Sequence, residues 1–181
     1  TKALSDKTLV FDIKENEYYS ARICEVMLNK GDTTFDKIRI EQEARTPVLL
    51  TYKTIDNSTI TIDETKFSAT IISHTYENGK GTIQFDNEFE YFRSGAFSGN
   101  KKLTSITLPE GIKSIGVSAF ENCSSLVRIN LPGSVTEIDA LAFSNCISLT
   151  SINIPDNIKT IETWTFQNCK SLESIKLPNG V

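Results

Sequence analysis

A mainly β protein is predicted, with a β-rich, sandwich-like N-terminal region leading into a solenoid of short parallel strands and short helical turns. Three observations carry that expectation. Phenylalanine recurs every 23 positions, at Phe97, Phe120, Phe143 and Phe166. Other columns keep the same period: Leu103/Leu126/Leu149/Leu172, Ile106/Ile129/Ile152/Ile175, Pro109/Pro132/Pro155/Pro178 and Cys123/Cys146/Cys169. Residues 1–84 lack the period but are rich in β-branched residues broken by turn signals. A fixed period of this length marks units that stack only on their neighbours, and such proteins present surfaces more often than they carry out chemistry.

In chain order, strands are expected at 8–13, 19–26, 37–40, 48–52, 58–62 and 67–72, where Val, Ile, Thr and aromatic residues alternate with polar ones. Turns are expected at 29–32, 56–58 and 78–81, which hold Asn, Asp and Gly. Two arrangements fit: a separate small antiparallel sandwich, or hairpins and degenerate repeats that cap the first face of the solenoid. The first is favoured, which gives a β domain at 1–80 and a repeat domain at 81–181. The residues 82–85 are then the entry strand.

Repeats begin at 85, 108, 131 and 154, and a partial one begins at 177. The frame 154–176 illustrates the unit. Ile175 and Leu177 share one face of a short strand by two-residue alternation, and Pro178 ends it because it has no N–H for a ladder. Residues 157–161 supply a second extended piece. Residues 164–169 read as a tight helical turn that points Phe166 and Cys169 inward. One such unit cannot bury its apolar side alone, so identical positions must align as columns at about the 4.8 Å spacing of adjacent strands.

The strings Leu131-Pro132-Gly133-Ser134-Val135-Thr136-Glu137-Ile138, Ala142-Phe143-Ser144-Asn145-Cys146 and Leu149-Thr150-Ser151-Ile152 resemble the BspA-like class of leucine-rich repeat. The resemblance covers about residues 85–181. It implies a right-handed solenoid on secreted or surface proteins, chiefly of host-associated bacteria and also of some protozoan parasites. The roles it implies are adhesion and protein binding, and no catalytic residue carries over. The first frame departs from the pattern: Phe85-Asp86-Asn87-Glu88-Phe89 replaces the Leu-Pro opening and Asn100 stands in the cysteine column. A terminal repeat that caps the core is expected to differ in this way.

At 181 residues, 39% hydrophobic and 23% charged, the chain has ordinary globular composition and room for one or two domains. Its net charge of −4 with scattered Lys and Arg gives nucleic acid no electrostatic footprint. No apolar run approaches the roughly 20 residues of a membrane-spanning helix, so no membrane insertion is expected. The chain opens at Thr1 without an initiator Met, which points to a mature or trimmed form whose signal peptide is gone. At its other end Leu177 opens a repeat that stops at Val181, so the natural chain is expected to continue, or a partner or second copy to cover the last core. Weak end-to-end self-association is one such arrangement.

Catalysis and cofactors find little support, and neither a cofactor nor a metal is expected. The single histidine, His74, has no nucleophile motif around it and reads as a packed or surface residue. The acidic pairs Asp63-Glu64 and Glu41/Glu43 read as solvated charge rather than glycosidase carboxylates. Asp56-Asn57 and Asp86-Asn87-Glu88 lack the spacing of an EF-hand loop. The cysteine column lies within disulfide range of itself but reads as small buried side chains, and Cys24 as a lone core residue.

The candidate surface follows from the isoleucine column. Because Ile106, Ile129, Ile152 and Ile175 point inward, their neighbours point out. These form two stripes, Ser105/Arg128/Ser151/Ser174 and Thr107/Asn130/Asn153/Lys176. Such a face serves either as plain solvated sheet or as a hydrogen-bonding platform for a host or neighbouring-cell protein, or a glycan. Trp164 breaks a column otherwise made of Gly95, Ser118 and Leu141. It is either an exposed interface anchor or a lid lying flat over Leu141. In the glycan alternative the sugar site is in the N-terminal β domain, where Tyr18, Tyr19, Tyr52 and Tyr76 would offer stacking faces and the repeats would be a spacer.

Overall fold

Where the N-terminal half is described, most of its β-branched runs are strands. The computed structural model describes residues 46–178 and the backbone of two earlier strands. The chain divides into two units, Thr1–Thr46 and Pro47–Val181. In the first, Arg22–Lys30 (β1) and Thr33–Gln42 (β2) form an antiparallel pair with a register shift between Leu28 and Asn29. The strand expected at 8–13 lies outside the described residues.

The second unit begins with Val48–Thr54 (β3), Ile71–Glu77 (β4) and Lys80–Phe85 (β5). The repeats then supply Tyr91–Phe92 (β6), Leu103–Thr107 (β7), Ser114–Ile115 (β8), Arg128–Asn130 (β9), Glu137–Ile138 (β10) and Ser151–Ile152 (β11). One sheet has six strands in the order β11-β9-β7-β3-β5-β4, and a second has three in the order β10-β8-β6. Within the repeats the pairing is parallel and steps by one period: Ser105 faces Arg128, and Arg128 faces Ser151. On the second sheet Phe92 faces Ile115, and Ile115 faces Ile138.

Within residues 78–81, expected to end an N-terminal domain, Asn78 and Gly79 form the tight turn of the β4–β5 hairpin, and Lys80 and Gly81 already belong to β5. Asn78 and Gly79 both adopt left-handed backbone there, with φ of 51° and 75°, as a two-residue Asn-Gly hairpin requires. Residues 47–85 share the repeat sheet, because β3 pairs antiparallel with both β5 and β7. Residues 58–62 are not a strand. Their donors are taken locally: Ser58 N–H bonds Thr54 Oγ1 and Asp56 Oδ1, and Ile60 N–H bonds the Tyr52 hydroxyl. Short polar side chains compete with the ladder in this way. The strand expected at 67–72 starts later, at Ile71, while Phe67 makes an isolated bridge with Phe92.

The helical turn expected at 164–169 is instead a run of β-turns, repeated in every unit. Its amides alternate. In the unit at 117–122, the N–H groups of Ser118, Phe120 and Asn122 reach the carbonyls of Ala140, Ala142 and Ser144 in the next repeat. Those of Ala119, Glu121 and Cys123 close turns onto Gly116, Ser118 and Phe120. A helix would keep all of these bonds within the segment; here half of them join repeats. The sole helical piece among the described residues is the 3-10 turn Glu64–Lys66.

The core follows the phenylalanine column. Phe97, Phe120, Phe143 and Phe166 stack nearly parallel at centroid distances of 5.0, 5.4 and 5.6 Å. Phe67, Phe85, Phe89 and Phe92 close the first face of this stack, meeting one another and Phe97 tilted or edge to face at 4.6–6.1 Å. Each ring buried this way contributes about 2–3 kcal/mol of transfer free energy. The departure of residues 85–89 from the repeat pattern therefore has a physical use: both phenylalanines are buried in the cap.

Candidate functional site

Two-residue alternation sets which side chains leave the six-stranded sheet. Leu50, Tyr52, Ile83, Phe85, Leu103, Ile106, Ile129 and Ile152 are buried beneath it. The residues between them form its outer face. Ser105, Arg128 and Ser151 stand in register, as do Thr107 and Asn130. Asn153 and Lys176 are joined by a parallel bridge, and Ser174 is exposed two residues before Lys176. Arg128, Asn130, Ser151, Asn153 and Lys176 are all exposed.

The face extends beyond the repeats. Thr51 on β3 stands opposite Thr107 on one side and Thr82 on the other, and Thr75 stands opposite Thr82. Lys53 is opposite Ser105. A row of side chains therefore runs Thr75–Thr82–Thr51–Thr107–Asn130 across five strands, with Lys53, Lys80, Arg128 and Lys176 among the cations on the face. These groups offer hydroxyl and amide donors and acceptors in a flat array. A hollow of about 140 Å³ opens beside Asn153, Asp156 and Lys176. Thr51, Lys53, Thr75 and Thr82 were not candidates from the sequence. Their alternation was visible, but alternation does not say which strand lies alongside.

Trp164 is 63% exposed and lies in a turn segment, apart from the stripes. It does not close over Leu141. Its φ is 59°, and Gly95, Ser118 and Leu141 share this left-handed backbone at 72°, 55° and 61°. The whole column is thus set by the turn and not by side-chain size.

The remaining candidates have structural partners. The Tyr52 hydroxyl lies 2.6 Å from His74 Nε2. Burial holds His74 below its ordinary range and Tyr52 above its own, which favours a neutral ring accepting the Tyr52 proton. Tyr52 is 2% exposed and so offers no stacking face, while the Tyr76 hydroxyl donates to Asn57 Oδ1. Tyr18 and Tyr19 lie outside the described residues. Asp63 caps the 3-10 turn by accepting from the Thr65 amide and hydroxyl, which lowers its pKa. Asp56 is held at about 2 by Lys102 at 2.7 Å and by Ser58. Asp86 accepts the Thr70 amide.

The thiols of Cys123, Cys146 and Cys169 donate to the carbonyls of Phe97, Phe120 and Phe143, each at 3.1 Å. Burial pushes Cys123 up to about 12 and raises the other two as well. No helix among the described residues is long and apolar enough to cross a membrane.

Residues 90–181 match the BspA type leucine rich repeat region in six copies. Among curated proteins no relative matches the chain. Three solved structures are similar to it. A leucine-rich repeat protein of T. pallidum is 22% identical over 70% of this chain and 72% of its own, with a TM-score of 0.45. One from Bacteroides ovatus is 25% identical over 93% of this chain and 42% of its own, with a TM-score of 0.49. One from Bacteroides capillosus is 22% identical over 73% of this chain and 95% of its own, with a TM-score of 0.43.

Proposed function

We propose that this chain, which belongs to the BspA-type leucine-rich repeat family, is a non-catalytic binding module that holds a partner protein on the outer face of its six-stranded sheet. In this reading the repeats form a right-handed solenoid displayed outside the cell, and the partner is a host or neighbouring-cell protein bound in adhesion. The single observation that carries it is the unbroken polar row from Thr75 to Asn130, continued by Asn153 and Lys176. A merely solvated face needs polar residues, but it has no need to hold threonine on four successive strands. Extended surfaces of this kind suit a large, flat partner better than a small molecule.

The test is a binding screen of the chain against extracellular-matrix proteins and glycans, with Arg128→Ala/Lys176→Ala and Trp164→Ala variants alongside. A protein ligand weakened about tenfold by the sheet-face pair supports the reading, as loss of interface cations would. A ligand that binds both variants as well as it binds the parent overturns it. A glycan hit indifferent to the pair moves the function to the N-terminal strands.

A further inference from the structure

The turn segments join repeats in one direction only. The N–H groups of Gly95, Phe97 and Gly99 donate forward to the carbonyls of Val117, Ala119 and Glu121, and the later repeats do the same. Each repeat therefore offers carbonyls backward. In the first repeat the equivalent acceptors are the carbonyls of Ser94, Ala96 and Ser98, and no donor among the described residues reaches them. Where a preceding repeat would lie, the segment 61–66 passes instead and leaves a groove of about 400 Å³. Ala96 and Ser98 line one wall, Lys66 and Lys101 line the rim, and Ile62 with Phe97 supplies apolar floor.

The charges of this groove are unequally committed. Lys102 is paired with Asp56 and Ser58, while Asp63 accepts both Thr65 donors and keeps its negative charge, so the lysines leave the groove net positive. Lys101 forms no ion pair with a described carboxylate, and Lys66 meets Asp63 only through its longer-range field. A ligand must therefore bring N–H donors for the carbonyls and negative charge for the lysines. A metal cation suits the carbonyls but is repelled by the ammonium groups. A phosphate suits the lysines but sets its oxygens against the carbonyl lone pairs. A peptide with an Asp or Glu side chain satisfies both when its backbone repeats the alternating turn of these segments, which aims successive N–H groups at one edge.

We infer that the groove between residues 61–66 and the first repeat takes a peptide segment that bears a carboxylate side chain and adopts the one-sided turn conformation of the repeats. This site is separate from the sheet face and does not rest on its function. The test uses fluorescence anisotropy of the whole chain with two labelled octapeptide pools, identical except for Glu or Gln at two central positions. The Glu pool is expected to bind, with the Gln pool at least about tenfold weaker. Lys66→Gln/Lys101→Gln should abolish that preference, and N-methylation of alternate peptide amides should abolish binding. Arg128→Ala/Lys176→Ala should leave both unchanged, which separates this site from the sheet face. Lys66 and Lys101 are partly or fully exposed, so their variants should keep the parent circular dichroism. Equal binding of both pools, binding that survives N-methylation, or equally tight competition by inorganic phosphate would overturn the inference.

Discussion

At Leu141 and Trp164 the backbone asks bulky residues to adopt left-handed conformation, with φ of 61° and 59°. Ordinarily that costs a non-glycine residue about 1–2 kcal/mol. It persists because the turn must aim alternate N–H groups at the next repeat. The second left-handed column, Gly99/Asn122/Asn145/Asn168, uses residues that tolerate the conformation, and Asn168 Nδ2 also donates to Asn145 Oδ1 at 2.9 Å. The asparagine column is legible from sequence, whereas the Ser–Leu–Trp column is not. The cysteines yield a prediction at this scale. In a Cys24→Ser background, a disulfide-exchange reagent at pH 8 should modify half-buried Cys169 first. Cys123 and Cys146, both 0% exposed, should react about a hundredfold more slowly, limited by opening. Three equal rates would contradict the burial. With its folded pKa raised, Cys123 contributes stability that is fully present below the unfolded value of 9.0 and is lost as pH rises towards about 12. Urea unfolding at stepped pH should therefore show falling stability across that interval.

At the scale of elements, β3 is the joint between hairpin and repeats, and Tyr52 holds it. Tyr52 stands opposite Gly81 on β5 and Ile106 on β7. A Cβ added at Gly81 would lie 2.1 Å from the Tyr52 ring. The ring occupies the place that a side chain on Gly81 would need, and its hydroxyl reaches both His74 and the Ile60 amide. Gly81→Ala should therefore cost about 1–3 kcal/mol through overpacking. The loss should appear as a lower urea midpoint with an unchanged slope. Gly133→Ala, with nothing within 4 Å of the added carbon, is the control and should stay within about 0.5 kcal/mol. A Gly81 variant as stable as this control would refute the packing argument.

Across the molecule, protection should follow the number of neighbours a repeat has. Phe120, Cys123, Leu126, Phe143, Cys146 and Leu149 are 0% exposed, whereas Phe166, Cys169, Leu172 and Ile175 are only half-buried. The N–H groups of Trp164, Phe166 and Asn168 have no acceptor among the described residues. Units stabilised by nearest neighbours open first where the bonds between them are fewest. In this chain, amide exchange should be at least about tenfold faster in residues 164–168 than in 118–122 or 141–145. Uniform protection would mean that the repeats open only together.

What the residues determined unaided is the local and the periodic. A 23-residue period places like beside like, so the phenylalanine stack, the buried cysteines and the two outward stripes were legible from columns alone. A capping role for the first repeat was legible too, from the departure at residues 85–89, whereas its aromatic packing with Phe67 and Phe92 was not. Tertiary structure decided three things. It seated β3 beside β7 and carried the stripe onto Thr51, Thr82 and Thr75, because ladder hydrogen bonds join backbones and leave no mark in side-chain pattern. It made β-turns of residues 164–169, since a Phe–Cys spacing of three fits either a helix or a run of turns and only the neighbouring repeat's carbonyls favour the second. It also opened the groove beside Ala96 and Ser98, because a repeat's backward acceptors stay free only where no repeat precedes it.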